Sequence, residues 1–233
     1  MKLTVVIPAY NEEENLENTV SRIEKTLSSH KIAHEFVIVD DSSTDRTPKI
    51  LQKLARKYPL SHYRNEKNMK LGYTLKRGLS FATGDVIFYT DCDLPCLPSA
   101  LLYALEIMET YDADIVFAYR FDRTSEGFIR ILYSNIYNLL IKLLFGLKVR
   151  DVNFACKLIK KEVIQNIHLL STGSFIDAEL LIKAKRKGFK ILQFGTDYFP
   201  RIRGKSTMAR PGVILKIFKE MLRCRINMWR GKE

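Results

Sequence analysis

Asp91 and Asp93 stand with one residue between them, directly after the apolar run Val86-Ile87-Phe88-Tyr89-Thr90. Two carboxylates that close at the tip of a strand repel each other unless a cation lies between them. Hard divalent ions such as Mg²⁺ or Mn²⁺ take oxygen ligands of this kind and draw the rest of their shell from substrate phosphates. The chemistry this suits is departure of a diphosphate whose growing charge is neutralised. Two more polar clusters follow apolar runs: Pro8-Ala9-Tyr10-Asn11-Glu12, and Asp40-Asp41-Ser42-Ser43-Thr44-Asp45. Asp40 and Asp41 can accept from base or ribose groups, with the first cluster beside them. Asn68-Met69-Lys70-Leu71-Gly72 puts a basic turn just before a helix, where it can steady a diphosphate. Each cluster alone is ordinary turn chemistry. A shared position after successive strands is what points to a site.

The elements that must position these residues alternate along the first half. Strands are expected at Leu3–Pro8, Glu35–Asp40, Ser61–Arg64, Val86–Asp91 and Asp114–Tyr119, and helices at about 12–28, 46–57, 71–83 and 97–111. Asp45 can cap the second helix and Pro98-Ser99 opens the fourth. Nearly continuous apolar strands separated by helices imply an α/β fold, with a mainly parallel sheet covered on both faces. Ligands of such sheets bind at the carboxyl ends of the strands. Tyr119-Arg120, ending the fifth strand, joins the same edge. No Gly-x-Gly-x-x-Gly and no Gly-x-x-x-x-Gly-Lys-Ser/Thr occurs, which argues against dinucleotide oxidoreductases and P-loop enzymes.

Charge is unevenly spread. The 233 residues carry a formal +12, yet residues 1–182 hold 23 basic and 23 acidic side chains, while residues 183–233 hold 15 basic and 3 acidic. A neutral body with a basic C-terminal fifth points to an anionic partner on one side: phospholipid, phosphate ligand or nucleic acid. Positive charge is not interleaved with aromatics, and the acidic strand ends would repel a phosphate backbone, so nucleic acid is the weakest of the three. Cys92, Cys96, Cys156 and Cys224 make neither a zinc nor a disulfide pattern and read as free thiols. The run Leu3 to Ile7 is too short for a leader or a span.

Two segments suggest lipid. In a helix over 128–146, Arg130, Ser134, Asn138 and Lys142 recur every four residues and share one face, amid mostly apolar neighbours. That pattern fits a polar seam in a core helix, or an interfacial helix whose seam faces the site while its flanks meet a prenyl chain. From 213 to 229, apolar Ile214, Ile217, Phe218, Met221, Leu222, Met228 and Trp229 oppose Lys216, Lys219, Glu220, Arg223, Asn227 and Arg230, as in an in-plane membrane anchor or a partner-binding helix.

Val6-Ile7-Pro8-Ala9-Tyr10-Asn11-Glu12, the stretch from Val39-Asp40-Asp41 to Thr47, and Gly84-Asp85 leading to Asp91-x-Asp93-Leu94 resemble the inverting glycosyltransferases of GT-A fold. Within these the chain most resembles dolichyl-phosphate mannose and glucose synthases. The resemblance implies a Rossmann-like domain over 1–210 with a basic amphipathic helix over 211–233. It implies that Pro8, Tyr10, Asn11, Glu12, Asp40, Asp41 and Lys70 hold a nucleotide sugar, and that Asp91 and Asp93 hold Mg²⁺ or Mn²⁺. Arg120, Ser134, Arg201, Arg203, Lys205 and Ser206 then contact the acceptor phosphate. Asp151 to Lys157 and Phe175-Ile176-Asp177-Ala178-Glu179-Leu180 resemble further family segments. The donor implied first is GDP-mannose, with UDP-glucose and UDP-N-acetylglucosamine as alternatives. The acceptor is a dolichyl or polyprenyl phosphate, with a non-lipid acceptor as the other reading. The expected place is the cytoplasmic face of a membrane, peripherally bound, with room for a separate membrane subunit. Pro95 departs from the Gln common in mannose-type members, which leaves a third metal ligand open, and Thr207 stands where the closing loop usually continues with Lys; both departures bear on the sugar more than on the reaction.

Overall fold

A computed structural model describes residues 1–123, 127–198 and 211–230. Seven strands form one sheet in the order β3-β2-β1-β4-β6-β5-β7. They are β1 (Leu3–Ala9), β2 (His34–Asp40), β3 (Leu60–Arg64), β4 (Val86–Thr90), β5 (Ile115–Arg120), β6 (Cys156–Lys160) and β7 (Ile191–Thr196). All neighbours run parallel except β6, which is antiparallel to both β4 and β5. Residues on β1 alternate between two cores, Val5 and Ile7 facing one and Val6 the other. That alternation is the period-2 signature of a strand buried on both faces.

Helices α1 (Leu16–Ser29), α2 (Thr47–Ala55) and α4 (Ser99–Thr110) cover one face. The other face is covered by α3 (Leu71–Phe81), α5 (Phe128–Phe145), α6 (Lys161–Asn166), α7 (Ile176–Arg186) and α8 (Pro211–Trp229). The expected parallel α/β architecture is therefore present, and the reversed β6 with β7 behind β5 extends it. Two boundaries moved for a physical reason. α1 begins at Leu16 rather than near residue 12, because the amides of Glu12 and Glu13 bond Thr47 Oγ1 and Asp45 Oδ2 across the loop. Those two residues are thus tied to the neighbouring loop, and the first helical turn starts beyond them. β4 stops at Thr90, which puts Asp91 just beyond the last rung.

All four cysteines are free and buried, and Cys96 Sγ lies 3.1 Å from Cys156 Sγ. α8 is not a detached tail. Met221 and Cys224 are buried in the second core, with Ile217 and Met228 packed against it.

Candidate active site at the carboxyl edge of the sheet

The carboxyl ends of β1, β2 and β4 lie side by side, and their loops are laced to one another. Asn11 adopts a left-handed φ of 55°. Its amide donates to Ser43 Oγ (2.9 Å) and its Oδ1 accepts from the Thr44 amide (2.8 Å). Asparagine tolerates that backbone well, and the cross-loop bonds hold it there. Asp45 accepts from both Thr47 N and Glu13 N, so the expected cap of α2 also ties in the first loop. Tyr10 stands 46% exposed above this lattice.

Asp40 and Asp41 are both buried, and both are already engaged. Asp40 accepts from the Ser43 amide and forms an ion pair with Arg64. Asp41 accepts from Asn65 Nδ2 (2.8 Å), Met69 N (2.7 Å) and Lys70 N (2.9 Å). Lys70 is thereby held at a φ of 75°, with its side chain exposed before the first turn of α3. An ionised carboxylate has about four lone-pair sites, so each Asp retains capacity for a ligand. The clearest work of Asp41 is to shape the Lys70 turn. The next turn is fixed by contact: Gly72 N bonds Thr172 O, and a Cβ on Gly72 would lie 2.7 Å from Thr172 C and Gly173 O.

Asp91 and Asp93 are half-buried just past β4. Their loop is held by Thr19 Oγ1 donating to Cys92 O, by Cys92 Sγ–H pointing at Pro8 O (3.4 Å), and by a left-handed Leu94 at φ 44°. Thr90 Oγ1, at the strand's end, is buried with no hydrogen-bond partner among the described residues. Burial first, then the Asp177, Asp91 and Asp93 carboxylates, push the Tyr89 phenol well above its usual range. The phenol therefore stays neutral behind the edge. Among the described residues no cluster of three or more His, Cys, Asp or Glu gathers around a metal position. Two carboxylates this close fit a hard cation that takes the rest of its shell from diphosphate and water oxygens.

On the far side of β4 the edge changes character. Arg120, the last residue of β5, is forked by Asp151: Nε to Oδ2 at 2.6 Å and Nη2 to Oδ1 at 3.0 Å. The guanidinium also faces the rings of Phe154 (5.5 Å) and Tyr198 (5.2 Å). Ser134 accepts from Arg123 Nη1 (3.0 Å). Asn138 bonds the Arg150 carbonyl and the Val152 amide. The polar seam of α5 therefore faces protein at Ser134 and Asn138, whereas Lys142 is exposed and the Arg130 side chain lies outside the described residues. Arg201, Arg203, Lys205 and Ser206 lie outside them too. Asp151 came to the edge because β6 runs backwards: Cys156 pairs with Thr90, which brings the residues before β6 beside the Asp91 loop. Sequence reading singled out no partner for Arg120, and an acidic residue five positions before a strand is too weak a signal to find one.

Two helices present apolar surface outward. On α5, Ile129, Leu132, Tyr133, Ile136, Leu139 and Leu143 are 45–70% exposed. On α8, Phe218, Leu222, Ile226 and Trp229 are exposed. Among the described residues no helix is long and apolar enough to cross a membrane.

The arrangement is a mainly parallel sheet with two carboxylates just past β4 and the buried Arg120–Asp151 fork beside them. The family model for glycosyl transferase family 2 matches residues 4–167, and the chain belongs to that family. The dolichol-phosphate mannosyltransferase of Pyrococcus furiosus is 32% identical over all of this chain and 65% of its own length. Glycosyltransferase AglD of Haloferax volcanii is 30% identical over 96% of this chain and 37% of its own. The chain thus spans about two thirds or less of these relatives. Mannosyl-3-phosphoglycerate synthase from Rubrobacter xylanophilus superposes with a TM-score of 0.76 at 17% identity, covering 100% of this chain and 76% of that one. Glucosyl-3-phosphoglycerate synthase from Mycobacterium tuberculosis gives 0.72 at 19%, covering 94% and 79%. These structural likenesses establish the GT-A fold.

Proposed function

We propose that this chain transfers a hexose from a nucleoside-diphosphate sugar to a dolichyl-type polyprenyl phosphate, inverting the anomeric carbon, at the cytoplasmic face of a membrane. The observation that carries the reading is one edge holding both Asp91/Asp93 and the forked Arg120, next to a helix with an exposed apolar face. The mannosyltransferase name of the Pyrococcus relative puts GDP-mannose first among donors. UDP-glucose is the second reading, because a mycobacterial neighbour was crystallised with Mn²⁺ and UDP-glucose.

In the proposed reaction an acceptor phosphate oxygen forms the new bond to the sugar's C1 while the bond from C1 to the diphosphate oxygen breaks. Nucleoside diphosphate leaves with that electron pair. A phosphate monoester is largely dianionic near neutral pH, its second pKa being about 6, so no strong general base is required. Asp91 and Asp93 would hold Mg²⁺ or Mn²⁺, which supplies charge neutralisation for the leaving diphosphate. Tyr10, Asn11, Glu12, Asp40, Asp41 and Lys70 orient the donor. Arg120 holds the nucleophile in line, with Ser134 beside it and Arg201, Arg203, Lys205 and Ser206 as the remaining acceptor-phosphate groups. The exposed faces of α5 and α8 rest on the lipid surface, helped by basic Lys219, Arg223 and Arg230.

The test is a transfer assay with each of the three nucleotide sugars, Mn²⁺ and a polyprenyl phosphate in vesicles, read as lipid-linked sugar by mass spectrometry. Product with one donor, lost on chelation, supports the proposal. Transfer only to a phosphate-free or water-soluble acceptor refutes the lipid assignment.

A further inference from the structure

Behind the edge lie four charged side chains that fold stability alone does not call for. Arg120 and Asp151 keep only 8% and 4% of their side-chain surface, and Lys157 and Asp177 keep 0% and 2%. The Lys157 ammonium donates to Asp177 Oδ1 (2.6 Å) and to the Phe154 carbonyl (2.7 Å), and faces the Tyr89 ring at 5.4 Å. Burying ion pairs costs desolvation that their attraction rarely exceeds, and apolar residues of like volume often serve a core equally well. Burial pulls the Asp177 carboxyl upward, and the Asp151 charge adds to that, so the two pairs feel each other's field.

The bonds run in one direction, from core to edge. Asp177, in the first turn of α7, holds Lys157; Lys157 holds the Phe154 carbonyl; the 151–156 turn thus fixed delivers Asp151 to Arg120. Asn138 of α5 braces the same turn through Arg150 O and Val152 N. Asp151 takes the Nε and Nη2 hydrogens facing one side of the guanidinium, and Phe154 and Tyr198 limit its rotation. The fork fixes the plane of the guanidinium and turns its Nη1–Nη2 side away from Asp151. A planar fork held in one orientation loses little entropy on meeting a phosphate.

We propose that Asp151 is a positioning residue that aims Arg120 at the acceptor phosphate, and that the buried Lys157–Asp177 pair holds Asp151 in place. This rests on the acceptor role proposed above for Arg120, and the experiment separates the two. Acceptor KM, kcat, donor affinity by calorimetry with Mn²⁺, and melting temperature are measured for Asp151→Asn, Arg120→Gln, their double variant, and Asp151→Glu. We expect Asp151→Asn to raise acceptor KM at least about tenfold with donor affinity within about twofold, since only acceptor geometry is lost. The double variant should be no worse than Arg120→Gln alone, the non-additivity of groups acting as a unit. Asp151→Glu should recover part of the loss, and it stands in as the informative variant if Asp151→Asn does not fold.

The backing pair is tested by Lys157→Met with Asp177→Leu, which removes both charges together. A folded protein with raised acceptor KM supports the proposal. Unchanged acceptor KM in that variant removes the pair from it. An unchanged acceptor KM in Asp151→Asn while Arg120→Gln raises it, or fully additive losses, overturns the role of Asp151 and leaves the function standing. If Arg120→Gln itself leaves acceptor KM unaltered, the acceptor assignment of Arg120 falls and this inference with it.

Discussion

The two sides of the carboxyl edge are built by different means. On the β1–β2 side, short polar residues of adjoining loops are laced together by single bonds between side chain and backbone, most of them 28 to 33 positions apart: Asn11 to Ser43 and Thr44, Asp45 to Glu13 and Thr47, Asp41 to Met69 and Lys70. On the β5–β6 side, order comes from buried ion pairs between residues 20 to 31 positions apart, under helices with oily outer faces. The first arrangement suits a polar donor arriving from water. The second suits an anion attached to a hydrocarbon chain, because the charge must be met in a dry place while the chain stays with lipid. A polar lattice keeps its geometry by many weak bonds, and a buried pair by a few strong ones that fail badly when halved.

The largest effect expected on this contrast is Asp91→Ala. Transfer should fall at least about 10²–10³-fold, as when a stabiliser of developing charge is removed. The melting temperature should stay put, because Asp91 sits past the strand. Retained turnover with Mg²⁺ or Mn²⁺ would place the leaving-group chemistry elsewhere. Next, Leu132→Ser with Leu139→Ser should lower partition onto anionic vesicles by about tenfold or more per residue, leaving donor affinity untouched, if each leucine is worth about 1.5–3 kcal/mol when buried in lipid. Unchanged vesicle sedimentation would strip the acceptor side of its lipid role. Removing residues 211–233 is a poorer probe of that role, since Met221 and Cys224 belong to the core and their loss would weaken the fold itself.

Gly72→Ala probes the joint between the two sides. Its new methyl would press on the 171–173 backbone, and a loss of about 1–3 kcal/mol in denaturant melts is expected. Asn11→Ala should cost about 1–2 kcal/mol and weaken donor binding, while Asn11→Gly, content at φ 55°, should cost less. The smallest effect concerns the opposite edge. Burial alone would raise the Glu35 carboxyl, but bonds from Lys2, Thr4 and Thr83 hold it at about 2. Against an unfolded value of about 4.3, it adds stability above that pH and loses it as pH falls toward about 2. Glu35→Gln should flatten the pH dependence of melting in that window and leave transfer alone.

Much of the β1–β2 side was readable in the chain, because its residues stand in contiguous motifs. Strand ends, the Asp91-x-Asp93 tip and the turn at Lys70 all fell where apolar runs stop and polar residues begin. Several strand limits were off by a residue, since a strand's end depends on its neighbour: Arg120 extends β5 by pairing with Thr196 of β7. β6 and β7 went unread. Neither the reversal of β6 nor the pairing of Arg120 with Asp151 leaves a local pattern, as the first depends on strand partners 40 to 74 positions apart and the second on residues 31 apart. The C-terminal helix was read with one apolar face, and it has two, one docked and one exposed.

By itself, then, the amino-acid order determined the parallel α/β frame, the acidic tip after the fourth strand and the basic, apolar C-terminal end, because period, burial and short-range turn chemistry act within a few residues. Only the tertiary structure decided which charges meet in the dark beneath the edge, which face of each amphipathic helix stays uncovered, and how Asp41 divides its oxygens. Those outcomes turn on distance in space, and a carboxylate's partner is whichever donor the packed backbone brings within about 3 Å.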